Sequence, residues 1–163
     1  MRNIKSIIFS YDTGVSIALS VISYCTLPDY LNMKFLLTFY NICISVLSII
    51  FSLFFAALAI IMSSSDNDFI EFLEQRKTFS KLLFSFKATL VMLFVSLVYS
   101  IILYTGSSFY IETYNFGVWE QHKILFCILE LLFIYSMIAT GLSILDTIAF
   151  SKFRSIFLSK KNK

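Results

Sequence analysis

Four apolar stretches divide the chain: Ile7–Leu27, Phe35–Ile61, Leu82–Tyr104 and Ile124–Phe150. The second reads FLLTFYNICISVLSIIFSLFFAALAII, without a charge, a proline or a glycine. As a helix it would span roughly 40 Å, more than the ~30 Å hydrocarbon core of a bilayer. Lipid offers no partner to a free backbone N–H or C=O, so each stretch is expected to be a helix. The first is the weakest, because Asp12 interrupts it, and a re-entrant segment is the alternative to a full crossing. Its basic start (Arg2, Lys5) looks like a secretory leader, but no small-residue cleavage pattern follows, and it reads as a retained span.

Polar positions inside the spans are periodic. In the second, Asn41, Ser45, Ser48 and Ser52 fall at steps of four, three and four, and Ala56, Ala59 and Ser63 continue the strip. Looser strips run through Thr13, Ser16, Ser20 and Ser23, through Ser85, Thr89, Ser96 and Ser100, and through Ser136, Thr140, Ser143 and Thr147. Four helices with one small, hydroxylated face each are expected to pack through those faces. The second span is then the central packing helix, and a water-filled path along its strip is the alternative. A faint repeat accompanies this pattern: Phe9-Ser10-Tyr11-Asp12 resembles Phe84-Ser85-Phe86-Lys87, and Tyr24 matches Tyr99 at the same offset.

Charge sets the expected orientation. Arg2 and Lys5 precede the first span, and Arg76, Lys77, Lys81 and Lys87 lie between or just inside the second and third. Lys152, Arg154, Lys160, Lys161 and Lys163 follow the fourth, while the other side carries only Lys34 and Lys123. The positive-inside rule places both termini and the middle loop in the cytoplasm. This bias accounts for the net charge of +3 without a nucleic-acid partner. The fold expected is a single all-α domain, residues 1–163: an integral membrane four-helix bundle, N-in and C-in.

Three loops join the spans. A tight turn, Pro28 to Asn32, makes the first outer loop, and Thr105–Lys123 makes the second, with Tyr110, Tyr114, Phe116 and Trp119 at headgroup level. His122 there reads as a solvated loop residue. The middle loop, SSSDNDFIEFLEQRKTFSKLLFSFK, has helix-start chemistry at Ser65 or Asp66, acids in its first turns and Arg76, Lys77 and Lys81 later. It is expected to form a short amphipathic helix on the inner surface, or a docking surface for a cytoplasmic regulator or ligand.

Candidate chemistry is sparse. There is no HExxH, GxSxG, P-loop or dinucleotide pattern, and one histidine only, so an enzyme is not expected. Cys25, Cys43 and Cys127 sit in apolar runs and read as inert thiols; no metal or cofactor is implied. What remains is charge within the spans: Asp12, Lys87, Glu130 and Asp146. Lys87 either neutralises Asp12 or Asp146 or snorkels to lipid phosphate. Glu130 is either a neutral carboxyl bonded to a neighbouring span, with Asn41 as the expected contact, or a cation-attracting or proton-sensitive group in a pore.

The layout, with the segment SSSDNDFIEFLEQRK between its second and third spans, resembles the small four-span membrane effectors of bacterial anti-phage defence systems. That resemblance implies a gated pore or membrane-disrupting homo-oligomer in the bacterial inner membrane, controlled from its cytoplasmic face. Two other classes fit the residues: a non-conducting membrane anchor for a cytoplasmic partner, and a small proton-coupled transporter using Glu130.

Overall fold

The computed structural model describes residues 11–63, 78–114 and 120–161. They form four helices and one short β-ribbon: α1 (Tyr11–Thr26), β1 (Tyr30–Asn32), α2 (Met33–Ser63), α3 (Thr78–Tyr114), β2 (Glu120–His122) and α4 (Lys123–Lys161). Three segments are long and apolar enough to cross a membrane: Met33–Ala59, Leu82–Thr113 and Lys123–Phe153. The fourth apolar helix, Thr13–Thr26, is shorter. The expected amphipathic helix, with Arg76 and Lys77, lies outside the described residues, and Lys81 falls within α3.

Two boundaries differ from expectation. The third helix does not end at Tyr104 but continues to Tyr114, so Tyr110 is helical and the second loop is shorter. Nothing in TGSSFYIETY forces a stop. Ser107 is buried and Ile111 packs on the core, so tertiary contact carries the helix past Gly106. The first loop is also more than a turn. Its strand β1 pairs antiparallel with β2, Tyr30 opposite His122, Leu31 opposite Gln121 and Asn32 opposite Glu120. Two loops that seem independent in the sequence are thereby joined at one end of the bundle.

Each strand then starts a helix in the same way. The Asn32 side-chain oxygen accepts from the Lys34 N–H at 2.9 Å, and His122 Nδ1 accepts from the Ile124 N–H at 3.3 Å. Both satisfy one of the free donors of a helix's first turn. Helix–strand–helix thus occurs twice, with Asn32 and His122 in equivalent places. Their separation (122 − 32 = 90 residues) differs from the 75-residue offset of the Phe9 and Phe84 match (84 − 9), so that repeat does not mark the structural equivalence.

Packing runs from α1 to α4, from α4 to α3 and from α3 to α2, with a lighter contact between α2 and α4. The central pair is therefore α3 and α4, not α2. The face of α2 that packs is Leu36, Tyr40, Cys43, Leu47 and Phe54, all buried. Their steps of four, three, four and seven follow a 3.5-residue repeat, the spacing that keeps one seam on its neighbour. Aromatic contacts close the seams: Phe54 stacks on Phe86 at 5.0 Å, and Phe39 meets Phe126 at 4.8 Å. Outside, Ile49, Leu53, Ile102, Leu145 and Ile148 are each at least 60% exposed, a surface suited to hydrocarbon rather than water.

This arrangement separates two neighbouring residues of α2. Leu47→Ala, at a fully buried position, should destabilise the bundle by about 2–4 kcal/mol. Ile49→Ala, two residues on and 60% exposed, should cost less than about 1 kcal/mol. Unfolding by denaturing detergent in mixed micelles reads both.

Candidate functional site

Polar side chains occupy four places in this bundle, and each is resolved differently. The first is the seam between α3 and α4. Thr89, Ser96 and Ser100 on α3, and Ser136, Thr140 and Ser143 on α4, are all buried. The Ser96 and Ser136 hydroxyls lie 2.8 Å apart, and those of Thr89 and Ser143 3.2 Å apart. Ser96 also reaches the Leu132 carbonyl of α4 at 3.2 Å. Small hydroxylated residues let the two backbones approach while every hydroxyl finds an acceptor, so these strips pack as expected.

The second place is the seam between α1 and α4. Among its described side chains, helix α1 contributes no large apolar one to the buried core; those buried are Ser16 and Ser20. Ser20 donates to the Cys127 carbonyl at 3.0 Å, and Ser23 donates to Glu130 Oε1 at 2.6 Å. Glu130 thus finds its partner on α1 rather than at Asn41, which is exposed. The α4 side chain at 130 leans toward the helix N-terminus, as side chains in α-helices do, and meets Ser23 there. Glu130 Oε2 is buried without a partner among the described residues, and so is Thr13 Oγ1. Alongside the seam a shallow cleft opens between Ile17, Val21, Tyr24, Ile124 and Ile128.

The third place is the ribbon end, where one residue does more than the sequence suggested. Lys123 is buried, and its ammonium sits 2.9 Å from Asp29 Oδ1, 3.3 Å from the Leu27 carbonyl and 4.4 Å from the Tyr24 ring centre. Its backbone N–H donates to the Asp29 carbonyl at 3.0 Å. One lysine therefore ties the end of α1, the first turn and the start of α4. The hydrogen bond from Lys123, and then its charge, hold the Asp29 carboxyl below the ordinary aspartate range. Tyr40 adds a link from α2 by bonding to Gln121 Oε1 at 3.1 Å, and His122 meets the Tyr30 ring edge-on at 5.8 Å. The signal available in the sequence was that Lys123 is one of two cations on its side of the chain.

The fourth place is the strip on α2, and here the expectation is corrected. Asn41, Ser45 and Ser52 are exposed, and Ser48 is half-buried. They lie away from the packed face. Ser45, Ser48 and Ser52 each bond back to the carbonyl four residues earlier, at 2.9, 2.6 and 2.9 Å. Asn41 has no side-chain hydrogen bond among the described residues. So among the described residues the strip lies off the packed face, and the seams of α2 use large side chains instead.

Among the described residues the remaining charges on the helices do not converge. Lys87 and Asp146 are level with one another, since Thr89 faces Ser143, yet both are exposed and form no ion pair with a described residue. Asp12 lies in the first turn of α1, and its side chain is outside the described residues. Of the thiols, Cys43 and Cys127 are buried, but Cys25 is exposed rather than buried with them. Among the described residues no three His, Cys, Asp or Glu side chains gather as metal ligands.

Two predictions follow from the α1 attachments. Ser23→Ala leaves both Glu130 oxygens without a donor and should cost about 1–3 kcal/mol, whereas Glu130→Gln, which keeps an acceptor for Ser23, should cost less. Detergent unfolding of both variants reads the difference. For Asp29, a lowered folded-state value means that its stabilisation is complete above the ordinary aspartate range and fades as pH falls through the lowered value. Acid unfolding of the wild type should therefore steepen below about pH 4, and Asp29→Asn should lack that component. Comparison with protein-family models, with curated proteins and with solved structures finds no match, so the reading of function rests on this geometry.

Proposed function

We propose that this chain is a multispan protein of the bacterial inner membrane that assembles through the exposed strip of α2 into a conducting homo-oligomer. One observation carries the reading: Asn41, Ser45, Ser48 and Ser52 face outward from the single chain. The hydroxyls between α3 and α4 are spent on one another, which leaves no water-filled path along that seam. The Asn41 carboxamide, by contrast, offers two donors and an acceptor that no side chain among the described residues meets. It lies eight residues into α2, roughly 12 Å along the helix from Met33, where lipid supplies no partner. Matching strips from other copies, or water held between them, satisfy it.

Orientation in this reading follows the Lys and Arg distribution, with both termini cytoplasmic. It requires α1 to cross as the fourth span. Its described 16 residues extend about 24 Å, against the ~30 Å hydrocarbon core of a bilayer. The likeness in layout to anti-phage membrane effectors supports a membrane-injuring role gated from the cytoplasmic side, with the segment 63–87, including Arg76, Lys77 and Lys81, as the surface for a regulator or ligand. A second reading, proton-coupled transport through Glu130, draws on its buried, unpartnered Oε2.

Purified protein in planar bilayers distinguishes the two. The pore reading expects a conductance that Ser48→Leu lowers about tenfold or more by filling the strip with an apolar side chain, while Glu130→Gln leaves it largely intact. The transport reading expects substrate-dependent proton flux that Glu130→Gln abolishes. A protein that never conducts, alone or with a cytoplasmic activator, contradicts the pore.

A further inference from the structure

Helix α4 does not stop where its apolar segment stops. The span-length segment ends at Phe153, but the helix continues unbroken to Lys161. Thr89 faces Ser143 across the antiparallel seam, so Thr78, the first described residue of α3, is level with position 154 (89 − 78 = 11; 143 + 11 = 154). Beyond that level α4 has passed the described part of its neighbour. Among the described side chains Phe150 is the last that is buried, and the next apolar ones turn outward: Phe153 is 63% exposed and Ile156 46% exposed.

Residue positions 153, 156 and 157 fall within about 100° of one another around the helix. Position 152 borders this arc on one side, and positions 154 and 161 border it on the other. These bordering residues are Lys152, Arg154 and Lys161. Between Thr147 and Lys163 the chain carries five basic residues, Lys152, Arg154, Lys160, Lys161 and Lys163, and no acidic one. Position 160 falls inside the arc itself, one turn beyond Ile156, so Lys160 ends the apolar patch along the helix. An apolar patch bounded by cations, continuous with a membrane-length helix, matches the acyl–headgroup boundary of a bilayer.

We propose that the Ser151–Lys161 segment of α4 is a binding site for anionic phospholipid headgroups. Phe153 and Ile156 rest at the acyl boundary, and the basic residues on either side engage the phosphates. Charge complementarity selects the occupant: each Lys or Arg brought to an anionic surface strengthens binding about fivefold. The inference rests on the chain lying in a membrane and not on its conducting. It gives the protein a preference for lipid composition that the α2 strip does not supply.

Hydrogen exchange of the full chain in nanodiscs tests it. Discs of phosphatidylcholine alone are compared with discs containing one third phosphatidylglycerol, and exchange is followed across 151–161. The expected result is about tenfold slower exchange with the anionic lipid, reversed at high salt. It should be lost in the Lys152→Gln, Arg154→Gln, Lys160→Gln, Lys161→Gln variant. The pair Lys160→Gln and Lys161→Gln, beyond the level of the described part of α3, should lose part of the effect, which keeps the test sound if the fourfold variant misfolds. Equal exchange in both lipids, or slowing retained in the neutralised variants, overturns the proposal. So does equal slowing in phosphatidylcholine discs on addition of inorganic phosphate, which would place the ligand in solution rather than in the bilayer.

Discussion

Three helices of this bundle are long and apolar enough to cross a membrane, and hydrocarbon would supply their polar side chains with no hydrogen bonds. An unmet donor or acceptor in an apolar setting costs more than a typical hydrogen bond contributes in water. Serines and threonines answer it in two ways. On α3 and α4 they bond across the seam, as Ser96 with Ser136 and Thr89 with Ser143. On α2 they bond back to the preceding turn, as Ser45, Ser48 and Ser52 do. Among the described residues three groups escape both solutions: the exposed Asn41 carboxamide, and the buried Glu130 Oε2 and Thr13 Oγ1. A group that the folded chain leaves unmet is a candidate for something the chain does with another copy, with water or with a proton.

At one end of the bundle the helices are held by more than packing. At the ribbon end, β1 pairs with β2, Lys123 binds Asp29 and the Leu27 carbonyl, and Tyr40 bonds to Gln121. Helices α1, α2 and α4 are all tied there. Along its length, however, α1 meets α4 through serines rather than through large apolar side chains. Helix α2 lies against α3 through Leu47, Phe54 and their neighbours, which gives that half a dense apolar seam. A helix seated by hydrogen bonds is more easily displaced than one seated by packing. In this fold that helix is α1, with the Ser20–Cys127 and Ser23–Glu130 bonds as described ties.

Much of this was legible in the residues, and the rest was hidden for identifiable reasons. The apolar runs located α2 and α4 well, because a charge-free stretch of membrane length has few alternatives. The serine strips of α1, α3 and α4 also indicated their packed faces. Helix α2 misled because it carries two repeats: a small, polar one through Asn41 and Ser48, and a large, apolar one through Leu36, Tyr40, Cys43 and Leu47. Periodicity marks both faces; in a membrane, polarity does not say which is inside. Glu130 was placed at a sensible depth but with the wrong neighbour, since depth fixes a level and not which helix lies beside it. The Lys123–Asp29 pair and the β-ribbon join residues about ninety positions apart, and three-residue strands leave no alternation to read.

The central claim is that the Asn41–Ser52 strip of α2 faces outward and meets the same strip on another copy. Disulfide cross-linking in a background without the three native cysteines measures this directly. Ser45→Cys and Ser52→Cys should give dimers on oxidation in native membranes, while Leu47→Cys, on the packed face of the same helix, should not. Cross-linking at Leu47→Cys with none along the strip, or equal cross-linking at the strip and at Ile49→Cys beside it, would contradict the account.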